Sequence, residues 1–141
     1  MHNAQSLPSS VRYANLGIAR CHILLGKENL DLASLREVAK RNKMASLEGE
    51  IYRLLGEILM HLGGSHIAEA KQWMQKAIEA HARKGMMFLL GLDHAVYAEL
   101  FGRQGDRIKA QEEFGKAIEI LRECGADGWV EKYERELAAL R

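Results

Sequence analysis

Apolar residues along this chain recur at three- and four-residue intervals, the spacing that builds one face of an α-helix. Ile67, Ala70, Met74, Ala77, Ile78 and His81 form one such stripe, and Ala110, Phe114, Ala117, Ile118 and Leu121 form another. Between the stripes stand residues that tolerate the left-handed backbone just past a helix end: Gly26, Asn42, the pair Gly63 and Gly64, Gly85, Gly105 and Gly125. They cut the chain into segments of roughly twenty residues, each a helix with its turn, and predict about seven helices. Side chains able to cap a helix N-terminus precede several segments: Ser9 or Ser10, Asn29 or Asp31, Ser65, Asp106 and Asp127. Residues 1–9 lack periodicity and predict a flexible leader, which leaves 10–141 as one folded domain.

The segments also repeat. An offset of forty lays Ala70 on Ala110, Met74 on Phe114, Ala77 on Ala117 and Ile78 on Ile118. Aligned on Gly63 and Gly105, the preceding segments place Leu55 on Tyr97, Gly56 on Ala98, Glu57 on Glu99 and Leu59 on Phe101. A recurring two-helix unit of about forty residues predicts a solenoid of helical hairpins, with units near 10–43, 44–85 and 86–125. Small residues such as Ala98 and Ala117 are expected where two helix backbones approach closely. In the closing segment, 126–141, Trp129, Tyr133 and Leu137 share a stripe beside Val130 and Leu140. Glu131, Lys132, Glu134, Arg135 and Glu136 lie outside it, the pattern of a capping helix.

The residue types are similar to those of the tetratricopeptide repeat. The last unit carries Tyr97, Ala98, Phe101, Gly105, Ala110, Phe114 and Ala117; the middle one carries Leu55, Gly56, Leu59, Gly63, Ala70, Met74 and Ala77, with about two extra residues between Gly63 and His66. The first unit is degenerate. Ile18, Ala19, His22 and Gly26 fit, but Leu32, Leu35, Val38 and Ala39 lack the order of the second helix. From Ala68 to Leu140, including GMMFLLG and EKYERELA, the chain resembles the C-terminal repeat region of bacterial signalling proteins that join a nucleotide cyclase or a nucleoside-triphosphatase module to such repeats.

The resemblance implies an all-α, right-handed superhelical stack of antiparallel hairpins that holds a partner protein or peptide in a concave groove. It further implies that the chain is part of a larger signalling protein, with a dimerisation module or an enzyme's regulatory tail as the alternative. In such stacks the first helix of each unit lines the groove. The corresponding residues are Tyr13, Leu16 and Arg20, then Glu50, Arg53, Glu57 and His61, then Leu92, Glu99 and Arg103. Glu57 and Glu99 stand where a clamp for a peptide's terminal carboxylate would carry asparagine, so no such clamp is expected.

Charge and chemistry narrow the function classes. Eight basic residues face seven acidic ones up to Ala70, and twelve face twelve beyond it, so neither half has the basic excess of a nucleic-acid binder. The one local cluster, Arg36, Lys40, Arg41 and Lys43, falls at an expected helix C-terminus, where the helix dipole favours cations. His61 and His66 are parted by the Gly63–Gly64 turn, and His22, His81 and His94 fall on buried stripes, so neither metal nor cofactor is expected. Glu28 follows Gly26 and Lys27 where a phosphate loop needs Ser or Thr. Adjacent carboxylates such as Glu112 and Glu113 point in different directions on a helix, and no nucleophile with a base stands out, which argues against an enzyme.

Cys21 and Cys124 are too far apart in sequence to suggest a paired motif, and Cys124 is expected to pack at a helix end. A reduced, cytoplasmic setting follows. The apolar run Met86–Leu92 is far shorter than a membrane span, but Met86 to Leu90 exceed what one hairpin is expected to bury, which makes a homodimer the alternative expectation.

Overall fold

The computed structural model describes residues 13, 16–18 and 31–140. Every regular element among them is helical, so the all-α expectation holds. We number the α-helices that follow residue 31: α1 is Leu32–Arg41, α2 Glu48–Leu62, α3 Ile67–Arg83, α4 Met87–Arg103, α5 Arg107–Glu123 and α6 Asp127–Ala139. Two short 3₁₀ turns, Ala45–Leu47 and Gly64–His66, lead into α2 and α3. Tyr13 and Leu16–Ile18 are helical too, while the expected leader, Gly26, Cys21 and the caps Ser9, Ser10 and Asn29 lie outside the described residues.

Helices α3, α4 and α5 each span 17 residues. They begin at 67, 87 and 107, and α6 begins at 127, so the forty-residue sequence repeat is two equal helix-and-turn steps. The same device ends each of the three. Gly85, Gly105 and Gly125 take φ of 68°, 80° and 72°, a region closed to most side chains. The residue after each glycine then reaches back five: Met86 N donates to His81 O at 2.9 Å, Asp106 N to Phe101 O at 2.9 Å and Ala126 N to Leu121 O at 2.9 Å. These bonds satisfy carbonyls that the helix end would otherwise leave unpaired.

Four local expectations need correction. Asn42 ends α1 with an extended backbone at φ −64°, ψ 127° rather than a left-handed one. Its amide instead closes a side-chain turn, Nδ2 donating to Met44 O at 2.9 Å and Oδ1 accepting from Met44 N at 3.1 Å. Asp127 is the first residue of α6 and Ser65 lies within a 3₁₀ turn, so neither is a cap. Asp31 and Asp106 do cap, accepting from Ser34 N and Lys109 N, each at 3.2 Å. Cys124 is exposed beyond the end of α5 and packs against no core.

The chain divides into two compact units, residues 1–76 and 77–141. In the first, Ile51, Leu55, Ile58 and Leu59 of α2 and Ala70 and Met74 of α3 are fully buried. Gly56 permits a close approach there. A Cβ on it would fall 2.7 Å from Met74 Sδ and 3.3 Å from the Ala70 carbonyl oxygen. Helix α1, only 10 residues long, adds Leu35 and Val38 to the core, in keeping with its degenerate sequence. The extra residues expected between Gly63 and His66 form the 3₁₀ turn, entered through positive φ at Gly63 and Gly64.

In the second unit, Leu92, Ala95 and Ala98 of α4 pack with Phe114, Ala117, Ile118 and Leu121 of α5 and with Val130 and Tyr133 of α6. The repeat's small residues do what their size predicts: Ala98, Ala110 and Ala117 are 0% exposed. Helix α6 presents Val130 and Tyr133 inward, with Tyr133 stacked on Phe114 at 6.0 Å. Trp129, placed on that stripe by the sequence pattern, is 39% exposed and stacks on the outside of Tyr133.

Candidate functional site

The predicted groove residues fall into two sets, one in each compact unit. In the first unit the α2 residues Glu50, Arg53, Glu57 and His61 follow one another at helical spacing and so share a face. Arg53 lies between two carboxylates, 4.0 Å from Glu50 and 3.6 Å from Glu57. The Tyr13 hydroxyl donates to Glu50, and that bond, with burial second, pushes its pKa above the ordinary 10.0. Glu57 is 4% exposed and Leu16 0%, so these two serve packing, and Tyr13, Glu50, Arg53 and His61 supply the partly accessible surface. Arg20 lies outside the described residues.

In the second unit Leu92 is buried within the α4–α5 core. Glu99 is half-buried and Arg103 exposed, which leaves them as the accessible members of the α4 line.

Two histidine–carboxylate couples also belong to the second unit, and only the histidines were legible as stripe residues. His81 of α3 meets Asp93 of α4 through Nδ1 and Oδ2, both side chains wholly buried. His81 Nε2 is buried without a hydrogen-bond partner among the described residues. At the next residue of α4, His94 Nδ1 lies 2.5 Å from Glu113 Oε2 of α5, and Lys116 Nζ lies 3.1 Å from Glu113 Oε1. Burial pushes the Glu113 carboxyl up, but the bonds from His94 and Lys116 outweigh it and hold the pKa below the ordinary carboxylate value. These couples join adjacent helices.

A third polar arrangement was missed altogether. Arg36 of α1 grips Glu69 of α3 with both arms of its guanidinium, at 2.8 and 2.7 Å. The Trp73 indole donates to the same carboxylate at 2.9 Å. Led by the Arg36 bonds, these contacts depress the Glu69 pKa to about 2. Sequence spacing joins Glu69 to Trp73, four apart on one helix, but gives no sign of the partner thirty-three residues earlier.

No group of three or more His, Cys, Asp or Glu side chains suited to a metal ion occurs among the described residues, and no helix among them is long and apolar enough to cross a membrane. Comparison with protein-family models, with curated proteins and with solved structures finds no match to this chain. Fold and surface define its class as an all-α protein of regularly repeated helix-and-turn steps.

Proposed function

We propose that the chain is a tetratricopeptide-type interaction module that binds a partner protein or peptide through the first helix of its repeats, α2 in one compact unit and α4 in the other. The observation that carries this reading is the recurrence of 17-residue helices closed by equivalent glycine turns at Gly85, Gly105 and Gly125. Repeats of this kind devote their regularity to presenting an extended surface rather than to assembling one catalytic pocket. The accessible candidates on these helices, Glu50, Arg53 and His61 on α2 and Glu99 and Arg103 on α4, carry both signs of charge. A partner segment of mixed charge suits them better than a purely acidic or apolar one. The likeness to repeat tails of signalling proteins supports a role within a larger regulatory protein.

Affinity capture from the source cell tests this. Reversing Glu99→Lys together with Arg103→Glu keeps the net charge and should lower recovery of a specific partner by roughly tenfold, as for loss of well-placed polar contacts. The matched reversal Glu131→Lys with Arg135→Glu, on the exposed side of α6, should leave recovery unchanged. Equal recovery with both variants removes the α4 face from the proposal.

Self-association is the second reading, and exposed apolar surface favours it. Met87 is 43% exposed, Phe88 40% and Trp129 39%, and the Phe88 and Trp129 rings meet edge to face at 6.3 Å.

A further inference from the structure

Between α1 and the start of α3 lies an open cleft of about 560 Å³, within the first compact unit and lined by none of the first-helix candidates. Three cations line it, Arg36, Lys40 and Lys76, against one carboxylate, Glu69. That carboxylate is already engaged by Arg36 and by the Trp73 indole, so its charge is matched within the wall of the cleft. The two lysines remain as the excess. Lys40 is 66% exposed and reaches only a distant contact with Glu37, at 3.8 Å, while Glu37 lies closer to Arg41, at 3.1 Å. Lys76 is exposed and held over the Trp73 ring at 4.8 Å and the Tyr52 ring at 5.9 Å. Cation–π contact of this kind orients an ammonium without neutralising it. Ser65 and Gln72 add neutral hydrogen-bonding groups to the lining.

We propose that this cleft docks an acidic peptide segment of a partner protein, its carboxylates bridging Lys40 and Lys76 with Ser65 and Gln72 beside them. Charge complementarity carries the assignment, because beside the ion-paired Arg36 and Glu69 the concavity is lined by Lys76 and by Lys40, whose one carboxylate contact, Glu37, is long and shared with Arg41. The basic cluster seen in the sequence thus acquires a role beyond complementing a helix dipole. A nucleic-acid strand fits less well. It needs a continuing basic track, whereas Glu37 and Glu69 flank these lysines and the whole chain carries a net charge of only +1. Trp73 is 9% exposed and covered by Lys76, so it presents no open ring for a base to stack on. The site is independent of the first-helix candidates and stands or falls separately from them.

Fluorescence of Trp73 gives a direct test, since Trp129 is the only other tryptophan and a Trp129→Phe background isolates the signal. Blocked hexaglutamate, blocked hexaglutamine and a six-nucleotide oligothymidylate are titrated into the full chain at low salt, where screening is weak. Saturable binding of hexaglutamate, none of hexaglutamine and weaker binding of the oligonucleotide are expected. Lys40→Glu with Lys76→Glu should weaken hexaglutamate by roughly tenfold or more, whereas Lys109→Glu with Lys132→Glu, two ring-stacked lysines of the other unit, should change it little. If the charge reversals disturb folding, seen as lost helical circular dichroism, Lys40→Gln with Lys76→Gln should still weaken binding several-fold. Absence of saturation, tighter binding of the oligonucleotide, equal loss in the control pair, or unchanged affinity in the folded neutral variant would each overturn the proposal.

Discussion

Asp93 is the only acidic residue between Met86 and Ala98, and it is 0% exposed against an equally buried His81. Removing one member of such a pair strands the other in a medium that cannot solvate it, so Asp93→Ala should cost about 3 kcal/mol. Urea denaturation measures this, and the double variant His81→Leu with Asp93→Leu should recover part of the loss because no polar group is then left behind. A second residue-scale prediction concerns acid. The Glu69 pKa falls from an ordinary 4.5 to about 2, chiefly through Arg36. The unfolded state therefore binds a proton first as pH drops, and the contribution is complete above about pH 4.5 and disappears as pH falls toward 2. Glu69→Gln should flatten the decline in urea midpoint across that window; an identical slope in both proteins would contradict the pairing. Neither pair was readable from the sequence. His81 showed as a stripe residue, but Asp93 carried no signal of its own, and joining them requires knowing how the Gly85 turn folds one helix back on the next.

At the scale of elements, helix ends and crossings were the legible part, because both depend on local chemistry. Glycine at positive φ marks five turn positions, and the buried alanines follow the repeat. Where the pattern misled, a competing local interaction had won. The Asn42 side chain bonds to Met44 instead of leaving its backbone left-handed, and Trp129 yields the interior of α6 to Val130 and Tyr133. The glycines allow a graded test. At Gly91 a Cβ would stand 2.8 Å from Cγ of the fully buried Leu121, whereas at Gly115, exposed in mid-α5, nothing lies within 4 Å. Gly91→Ala should therefore destabilise by about 1–3 kcal/mol through overpacking, and Gly115→Ala should stabilise by about 0.5–1 kcal/mol through helix propensity. Thermal melts that moved both variants in one direction would contradict the packing of α4 on α5. Ala117→Leu should likewise cost about 1–3 kcal/mol, since its site is 0% exposed.

At the scale of the molecule, the candidate face was legible as a line of residues but not as a surface. Helical spacing places Glu50, Arg53 and Glu57 together, yet only the structure shows Glu57 and Leu92 withdrawn into packing while Arg103 stays exposed. Exposed Met87, Phe88 and Trp129 bear on the alternative of self-association. Light scattering should show a dimer that Phe88→Ser with Trp129→Ser dissociates if that patch is used, and a monomer at high concentration would remove this alternative. The central claim is that the first helices, α2 in one unit and α4 in the other, contact a partner. It is tested most directly by photo-crosslinking from single sites, with a photoreactive amino acid replacing His61, Glu99 or Arg103 on those helices, or Glu131 or Arg135 on α6. The account predicts that one partner crosslinks from the α2 and α4 sites and not from α6; crosslinks confined to α6, or equal yields everywhere, would contradict it.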